Sequence, residues 1–589
     1  MDYVRFNRKA LSVLIKPIHC GHNDQNNKGR RVSISQTIEI LTSADQFFEV
    51  VDLDTPVGSL PGFKHAPSTL IEIVQNARGH GDTEFIIADD VRLSFAQFFD
   101  RADRLRSYLE NNGLEPRQRF AIAMRNSPEW LIGFTAALLA GAIVVPINSW
   151  GRYDELAFAI EDSQADWLLC DDQRAKTVEE LLDTNRRLVV FDRAEPGSVR
   201  GIDFGAASSD QPPAPVVIPP GEEHCLILYT SGSTGAPKGV VHCQQALAQA
   251  VFNMMFTGML SMTVEGGLRE LRGGATQEKA LLNVPLFHAT GLLGSFVLPL
   301  VTSQAIVMLP KWDPQVALRL IERERVTLFS SVPALVKDLL TQPNIDDFDI
   351  SSLLRVSSGG AAMPSDLPEI IEQRVDKAYA SGGYGMTETL AVGSQAAGQV
   401  FDAKPASAGV KSPIMAIRCT DAEGRVLPQG VPGEIEMRGV TRTLGYWNKP
   451  EANAEIFTDD GWMKTGDVGY VDEDSYLYIT GRIKDIVIRG GENIFPGDTE
   501  QACYQIDGVK ECVAFGVPDN LMGEELAMLV RITAESKLDE IALREALAER
   551  IAGFKVPRYI ELTHEPLLRG ATEKFDKRAI REAVLEQLS

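Results

Sequence analysis

From about residue 65 the chain alternates amphipathic helical segments with short apolar runs, and this alternation restricts it to a mainly parallel sheet covered by helices. "TLIEIVQNA" has helical spacing, and "FAQFFDRADRLRSYLENNG" predicts a longer helix stopped by Gly113. "RFAIAMR" reads as a strand, and "WLIGFTAALLAGAIVVPI" as a helix followed by a strand. Strands covered on both faces are apolar on both faces, so these runs need not alternate. Two stretches, 131–147 and 289–309, resemble membrane spans, and the second, about 20 residues without a charge, meets the length test. Pro299 breaks the second, and Thr302, Ser303 and Gln304 interrupt its apolar run. A buried helix followed by a buried strand is expected there, with no transmembrane segment.

The pattern changes further along. "GSVRGIDFGAASSDQPPAPVVIPPGEE" reads as a long surface connection and "EGGLRELRGGATQEK" as a second polar loop. Residues 401–480, with "IEMRG" and "YLYITGR" between regular Gly and Pro positions, predict antiparallel strands. Beyond about 485 a small α+β unit is expected, built on "CVAFGVPD", "LAMLVRI" and charged helices. Residues 1–40 are polar, basic and non-periodic, which predicts a disordered leader. Its apolar stretch 10–15 is too short for a signal-peptide core. At roughly 150 residues per domain the chain has room for about four core-sized units.

The charge balance, 58 basic against 81 acidic residues for a net of −23, argues against general affinity for nucleic acid or anionic membranes. Seven scattered cysteines, none in a C-x-x-C pair, read as reduced thiols of a cytoplasmic protein. His19, Cys20 and His22 lack a fourth ligand nearby, so no structural metal is expected.

The segment richest in chemistry is "LYTSGSTGAPKGVVH", residues 228–242. Its Thr230, Ser231, Gly232, Ser233, Thr234 and Gly235 can present backbone N–H groups and hydroxyls to a polyphosphate, with Lys238 as a point charge. Gly239 follows the lysine, so this is not a Walker A loop, which needs Ser or Thr there. Taken alone, the segment also fits a plain surface turn.

Four more segments follow in order: "GGYGMTET", "GWMKTGDVGYVDED", "GRIKDIVIRGGENIFP" and "TEKFDKRAI". With them the chain resembles the adenylate-forming superfamily of acyl-CoA synthetases, peptide-synthetase adenylation domains and firefly-type luciferases, over residues of about 65 to 580. The resemblance implies a multidomain α/β and α+β fold. A large N-terminal adenylation domain of stacked α/β sheets with a small β-barrel is expected over 41–481, a hinge over 482–485 and a mobile α+β lid over 486–589. It also implies ATP, Mg2+ and coenzyme A as cofactors or co-substrates and a small carboxylic acid as partner; oligomeric state is not implied.

Residue by residue, the resemblance puts Tyr384 against adenine, Thr387 on the α-phosphate and Glu388 on the metal, for which a hard carboxylate oxygen is suited. Asp467 and Arg482 take the ribose. "SSGGAAMP", with Gly360 and Ala361, lines the adenine and acyl pockets. His288 in "PLFHATG" stands beside the carboxylate to be activated; an ordinary core histidine is the bland alternative. Lys574 relieves repulsion between carboxylate and triphosphate. Glu573 stands before it where the family usually has Gly, so Lys577 is the local alternative. Lys484 falls at the hinge.

"PLFHATG" and "IRGGENIFP" look most like free-standing CoA ligases, and no carrier-protein domain is expected after residue 589. Phe252, Met254, Met255, Phe256 and Met259 suit an acyl tunnel or an ordinary core, which points to a medium- or long-chain fatty acid. The alternatives are an aromatic carboxylate of benzoate or cinnamate type, or a catalytically weak nucleotide-binding homologue. A luciferase-like oxygenase has no support of its own in these residues.

Overall fold

The computed structural model describes residues 33–181, 187–191, 201–230, 237–264, 277–359, 366–375, 378–534, 536–570 and 575–588. The expected alternation becomes two large sheets. The first has eight strands, and its parallel centre runs His224–Tyr229, Ile143–Pro146, Arg119–Ala123, Trp167–Asp171 and Arg187–Phe191. Gly239–Cys243 joins it antiparallel to His224–Tyr229. The second has nine strands, with Lys279–Leu282, Leu328–Ser331, Arg355–Ser358 and Tyr379–Tyr384 parallel at its centre and Ser394–Ala397 antiparallel beside them.

Helices from both halves of the sequence fill the space between the sheets. Every residue of Pro128–Leu139 except Glu129 is buried, which explains why this segment is apolar all round rather than on one stripe. Leu226 and Leu228 of the first sheet, Leu282 and Ile306 of the second, and Leu292 and Phe296 between them share one core. Each such side chain contributes about 1.5–3 kcal/mol on burial. The two stretches that resemble membrane spans are, as expected, a buried helix and strand each: Pro128–Leu139 with Ile143–Pro146, and 290–302 with Ala305–Met308. Among the described residues one helix, Gln244–Val264, is long and apolar enough to cross a bilayer, and it is mostly buried inside the protein.

The leader expectation needs correction at its end. Residues 34–40 belong to the helix Ile34–Thr42, capped by Ser33, whose hydroxyl accepts from the Gln36 N–H while the Gln36 side chain accepts from the Ser33 N–H. Ile34, Ile38 and Leu41 pack onto the core, which offsets the ordering cost. The hairpin Val50–Thr55/Gly58–Phe63 follows, and the buried Gln249 amide satisfies both backbone groups of Phe63, at 2.8 and 3.0 Å. Phe47, Phe48 and Phe63 then form an aromatic cluster with Phe252 and Phe256 of the long helix.

The segment expected to form a small barrel is a four-stranded antiparallel sheet, in the order Met415–Thr420, Gly433–Gly439, Met463–Val471 and Leu477–Arg482. After the turn Ile483–Asp485 comes a five-stranded sheet with its own cores, centred on Val509–Asp519 and Gly523–Ile532. Lys337 of the large part lies 5.8 Å from the Tyr504 ring of this C-terminal unit.

Candidate active site

Strand pairing creates the first half of the site. Asp467 and Arg482 are cross-strand partners, and Arg482 Nε lies 2.8 Å from Asp467 Oδ1. The other carboxylate oxygen accepts a 2.6 Å hydrogen bond from the Tyr384 hydroxyl, although Tyr384 comes from the second large sheet. Asp467 is 3% exposed, whereas the Arg482 side chain is more than half exposed. Burial pushes the Tyr384 phenol well above its usual range, and the Asp467 charge adds to this, so the hydroxyl stays a donor.

The second half sits on the turn Thr387–Thr389, directly after Tyr384. Leu390 and Ala391 close this turn with φ of 55° and 60°, unusual for residues with a Cβ, at a cost of roughly 1–2 kcal/mol each. Gly385 must be glycine, since a Cβ there would lie 2.3 Å from the Ala391 carbonyl carbon. The turn buries Glu388, 7% exposed, with its Oε1 accepting a 2.9 Å hydrogen bond from the Tyr446 hydroxyl. Burial raises the Glu388 carboxyl above its ordinary value, while Tyr446 and the Arg482 and Lys238 charges pull it back. Lys238 Nζ lies 4.8 Å from the Tyr446 ring centroid. Both halves therefore act on one carboxylate.

The stem of the phosphate-loop segment is closed by Thr230, whose N–H donates to the Lys238 carbonyl at 3.0 Å. Ser231, Gly232, Ser233, Thr234 and Gly235 lie outside the described residues, as do Gly360, Ala361 and Lys574. His288 is half-buried, with its ring 4.4 Å from that of Phe287. Asn126 holds the "PLFHATG" loop from both sides: its amide donates to Val284 O at 2.9 Å and its carbonyl accepts from Leu286 N–H at 3.1 Å. Gly291 must be bare because a Cβ would stand 2.2 Å from the Pro285 carbonyl oxygen. Lys484 lies on the exposed turn after Arg482. The structure thus unites Tyr384, Asp467 and Arg482, and Lys238 with Glu388, while Tyr446 and Asn126 enter as partners without a motif of their own.

Among the described residues no three His, Cys, Asp or Glu side chains form a metal cage. One buried carboxylate oxygen beside a phosphate-loop lysine fits magnesium, which keeps waters and phosphate oxygens as most of its ligands.

The AMP-binding enzyme family model matches residues 73–447, and its C-terminal domain model matches 498–573. A feruloyl-CoA synthase from an Amycolatopsis species is 36% identical over 474 residues, covering 80% of this chain and 90% of that enzyme. A long-chain-fatty-acid–CoA ligase from Bacillus subtilis is 30% identical over 525 residues, covering 84% and 90%. ATP-bound MatB from Rhodopseudomonas palustris superposes with a TM-score of 0.77 at 26% identity, covering 89% of this chain and 100% of that one. The anthranilate CoA ligase AuaEII, bound to anthranoyl-AMP, shares the fold with a TM-score of 0.79 at 23% identity, covering 88% and 98%. Adenylate-forming CoA ligases use ATP, Mg2+ and coenzyme A. The chain belongs to the AMP-binding enzyme family and is an ATP-dependent, AMP-forming acid–thiol ligase.

Proposed function

We propose that the acid joined to coenzyme A is an aromatic carboxylate carrying oxygen substituents, of the hydroxycinnamate or hydroxybenzoate type. The observation behind this is a row of hydroxyls across the second sheet. Ser330, Ser357 and Ser381 are in register on three neighbouring strands and so share one face, with the Ser357 and Ser381 hydroxyls 2.5 Å apart. The same row continues to Ala397, whose carbonyl accepts from Ser261 of the long helix at 3.0 Å. Two residues along, Gln395 accepts from Thr257 at 2.7 Å. The long helix therefore meets the sheet along the face that bears the serines. All three serines are only half-buried despite their central position. A saturated acyl chain laid on hydroxyls costs desolvation and returns nothing, whereas ring hydroxyl or methoxy oxygens can hydrogen-bond with them.

Phe252 and Phe256, which favour a fatty acid in the sequence, pack into the protein's own aromatic cluster, so they lend an acyl tunnel no support. The feruloyl-CoA synthase relative points the same way.

In this reading a carboxylate oxygen of the acid attacks the α-phosphorus of ATP and pyrophosphate leaves. The CoA thiolate then attacks the acyl carbon and AMP departs with that oxygen. Tyr384 offers its face to adenine, and Asp467 with Arg482 holds the ribose. Thr230, the loop 231–235 and Lys238 take the phosphates, and Thr387 donates to the α-phosphate as charge develops. Glu388 would hold magnesium, which neutralises phosphate charge when bound. His288 orients the acid, Lys574 supports the forming bond, and Lys484 is the hinge that exchanges the two half-reactions.

The test is AMP formation by the purified protein with ATP, Mg2+, CoA and a panel of acids. Substituted cinnamates and benzoates are expected to exceed octanoate and palmitate by at least about tenfold in kcat/KM, about 1.4 kcal/mol. Preference for palmitate would overturn the reading.

A further inference from the structure

The strand Gly239–Cys243 carries a histidine that no step of this chemistry uses. His242 is fully buried, and its Nε2 lies 2.9 Å from the carbonyl oxygen of Thr387, 145 residues away. Burial pushes its pKa down to about 4, so the ring is neutral. A carbonyl only accepts, so Nε2 carries the hydrogen and Nδ1 is bare. Nδ1 has no hydrogen-bond partner among the described residues. An apolar side chain would avoid that unpaired nitrogen, which leaves the bond to Thr387 as the interaction that sets histidine apart at this position.

That bond grips an important carbonyl. The next one, of Glu388, accepts from the Thr443 N–H at 2.6 Å. Thr443 in turn anchors to the histidine's own strand, its hydroxyl donating to Val241 O at 2.7 Å. Two consecutive carbonyls of the turn are thus tied to the first sheet or its border, while the turn itself belongs to the second. Leu390 and Ala391, both at positive φ, leave the turn under backbone strain that such ties must hold.

We propose that His242 is a positioning residue for adenylation: its Nε2–H fixes the Thr387 carbonyl, and thereby aims the Thr387 hydroxyl and the Glu388 carboxylate at the nucleotide. The proposal rests on the roles given to Thr387 and Glu388 above. It goes beyond them in assigning work to a buried residue that touches neither ATP nor acid.

Three variants test it. His242→Leu fills the space without a donor, His242→Gln places an amide N–H near Nε2, and His242→Asn carries the same amide one methylene short. Single-turnover pyrophosphate release and thioester formation from supplied acyl-adenylate are measured for each, with thermal melting as the check on folding. His242→Leu and His242→Asn are expected to slow adenylation at saturating ATP at least tenfold, with KM for ATP changed less than threefold and thioester formation within threefold of wild type. His242→Gln is expected to recover adenylation to within threefold of wild type. Should His242→Leu fail to fold, the contrast between Gln and Asn decides alone. Equal rates for Gln and Asn, or equal slowing of both half-reactions, would overturn the proposal. Wild-type protein that forms no adenylate with any acid would instead overturn the reading on which it rests.

Discussion

Glu388 sets charge against burial: its carboxyl is almost wholly buried, and that burial raises its pKa above 4.5. The folded free protein therefore binds this proton more readily than the unfolded chain. Stability is lost as pH rises from 4.5 through the higher native value, and stays lower beyond it. Glu388→Gln keeps an acceptor for Tyr446 and removes the charge. In chelator and without nucleotide, thermal melts should show it more stable than wild type at pH 7.5, with the gain fading toward pH 4.5. Adenylation by the same variant should fall about a hundredfold. A variant less stable than wild type at neutral pH would contradict this account. Asp467→Asn should raise KM for ATP at least about tenfold, because the amide cannot accept from Tyr384 and Arg482 as a carboxylate does; unchanged steady-state KM would refute the ribose role. The "TGD" and "GYGMTE" segments make Asp467 and Glu388 legible in the sequence. Tyr446 and His242 are not, because each meets its partner, Glu388 58 residues away or Thr387 145 residues away, only through tertiary folding.

At the scale of elements, the site is carried by two connections that do different work. The helix Ile34–Thr42 docks through Ile34, Ile38 and Leu41, and the segment and hairpin after it through Phe47, Phe48 and Phe63, which meet Phe252 and Phe256 of the long helix. Phe48→Ala should remove about 3–5 kcal/mol of packing there. A lower melting temperature with kcat within twofold of wild type is expected, and a large loss of kcat would place this region in the active site. The turn Ile483–Asp485 instead follows Arg482 directly and leads to the C-terminal unit. Proline at Lys484 fixes φ near −65° and removes an N–H, so Lys484→Pro should retain adenylation while slowing thioester formation at least about tenfold. Unchanged thioester formation in a folded variant would place the hinge elsewhere. The parallel-sheet elements were readable from apolar runs alone. The helix Ile34–Thr42 was hidden because only its Ser33 and Gln36 cap and four apolar residues distinguish it from the polar stretch before it.

Across the whole molecule, distant segments are brought together around two buried carboxylates, Asp467 and Glu388. Tyr384 and Glu388 arrive from the second large sheet, Lys238 and Tyr446 from the border of the first, and Asp467 with Arg482 from the antiparallel sheet. Alternation in the sequence announces the layers, and the ordered motifs announce the chemistry. Which acid enters is far less legible, because the serine row depends on the register of three strands separated by twenty or more residues each. Attack of the acid's own oxygen on the α-phosphorus, which forms the acyl-adenylate, is the step on which the whole arrangement depends. It is tested most directly by giving the enzyme the best acid of the panel labelled with 18O in its carboxylate, together with ATP, Mg2+ and CoA, and weighing the products. One 18O is expected in AMP, none in pyrophosphate, and none of either product without the acid. Unlabelled AMP, or label appearing in an inorganic phosphate product alongside ADP, would contradict it.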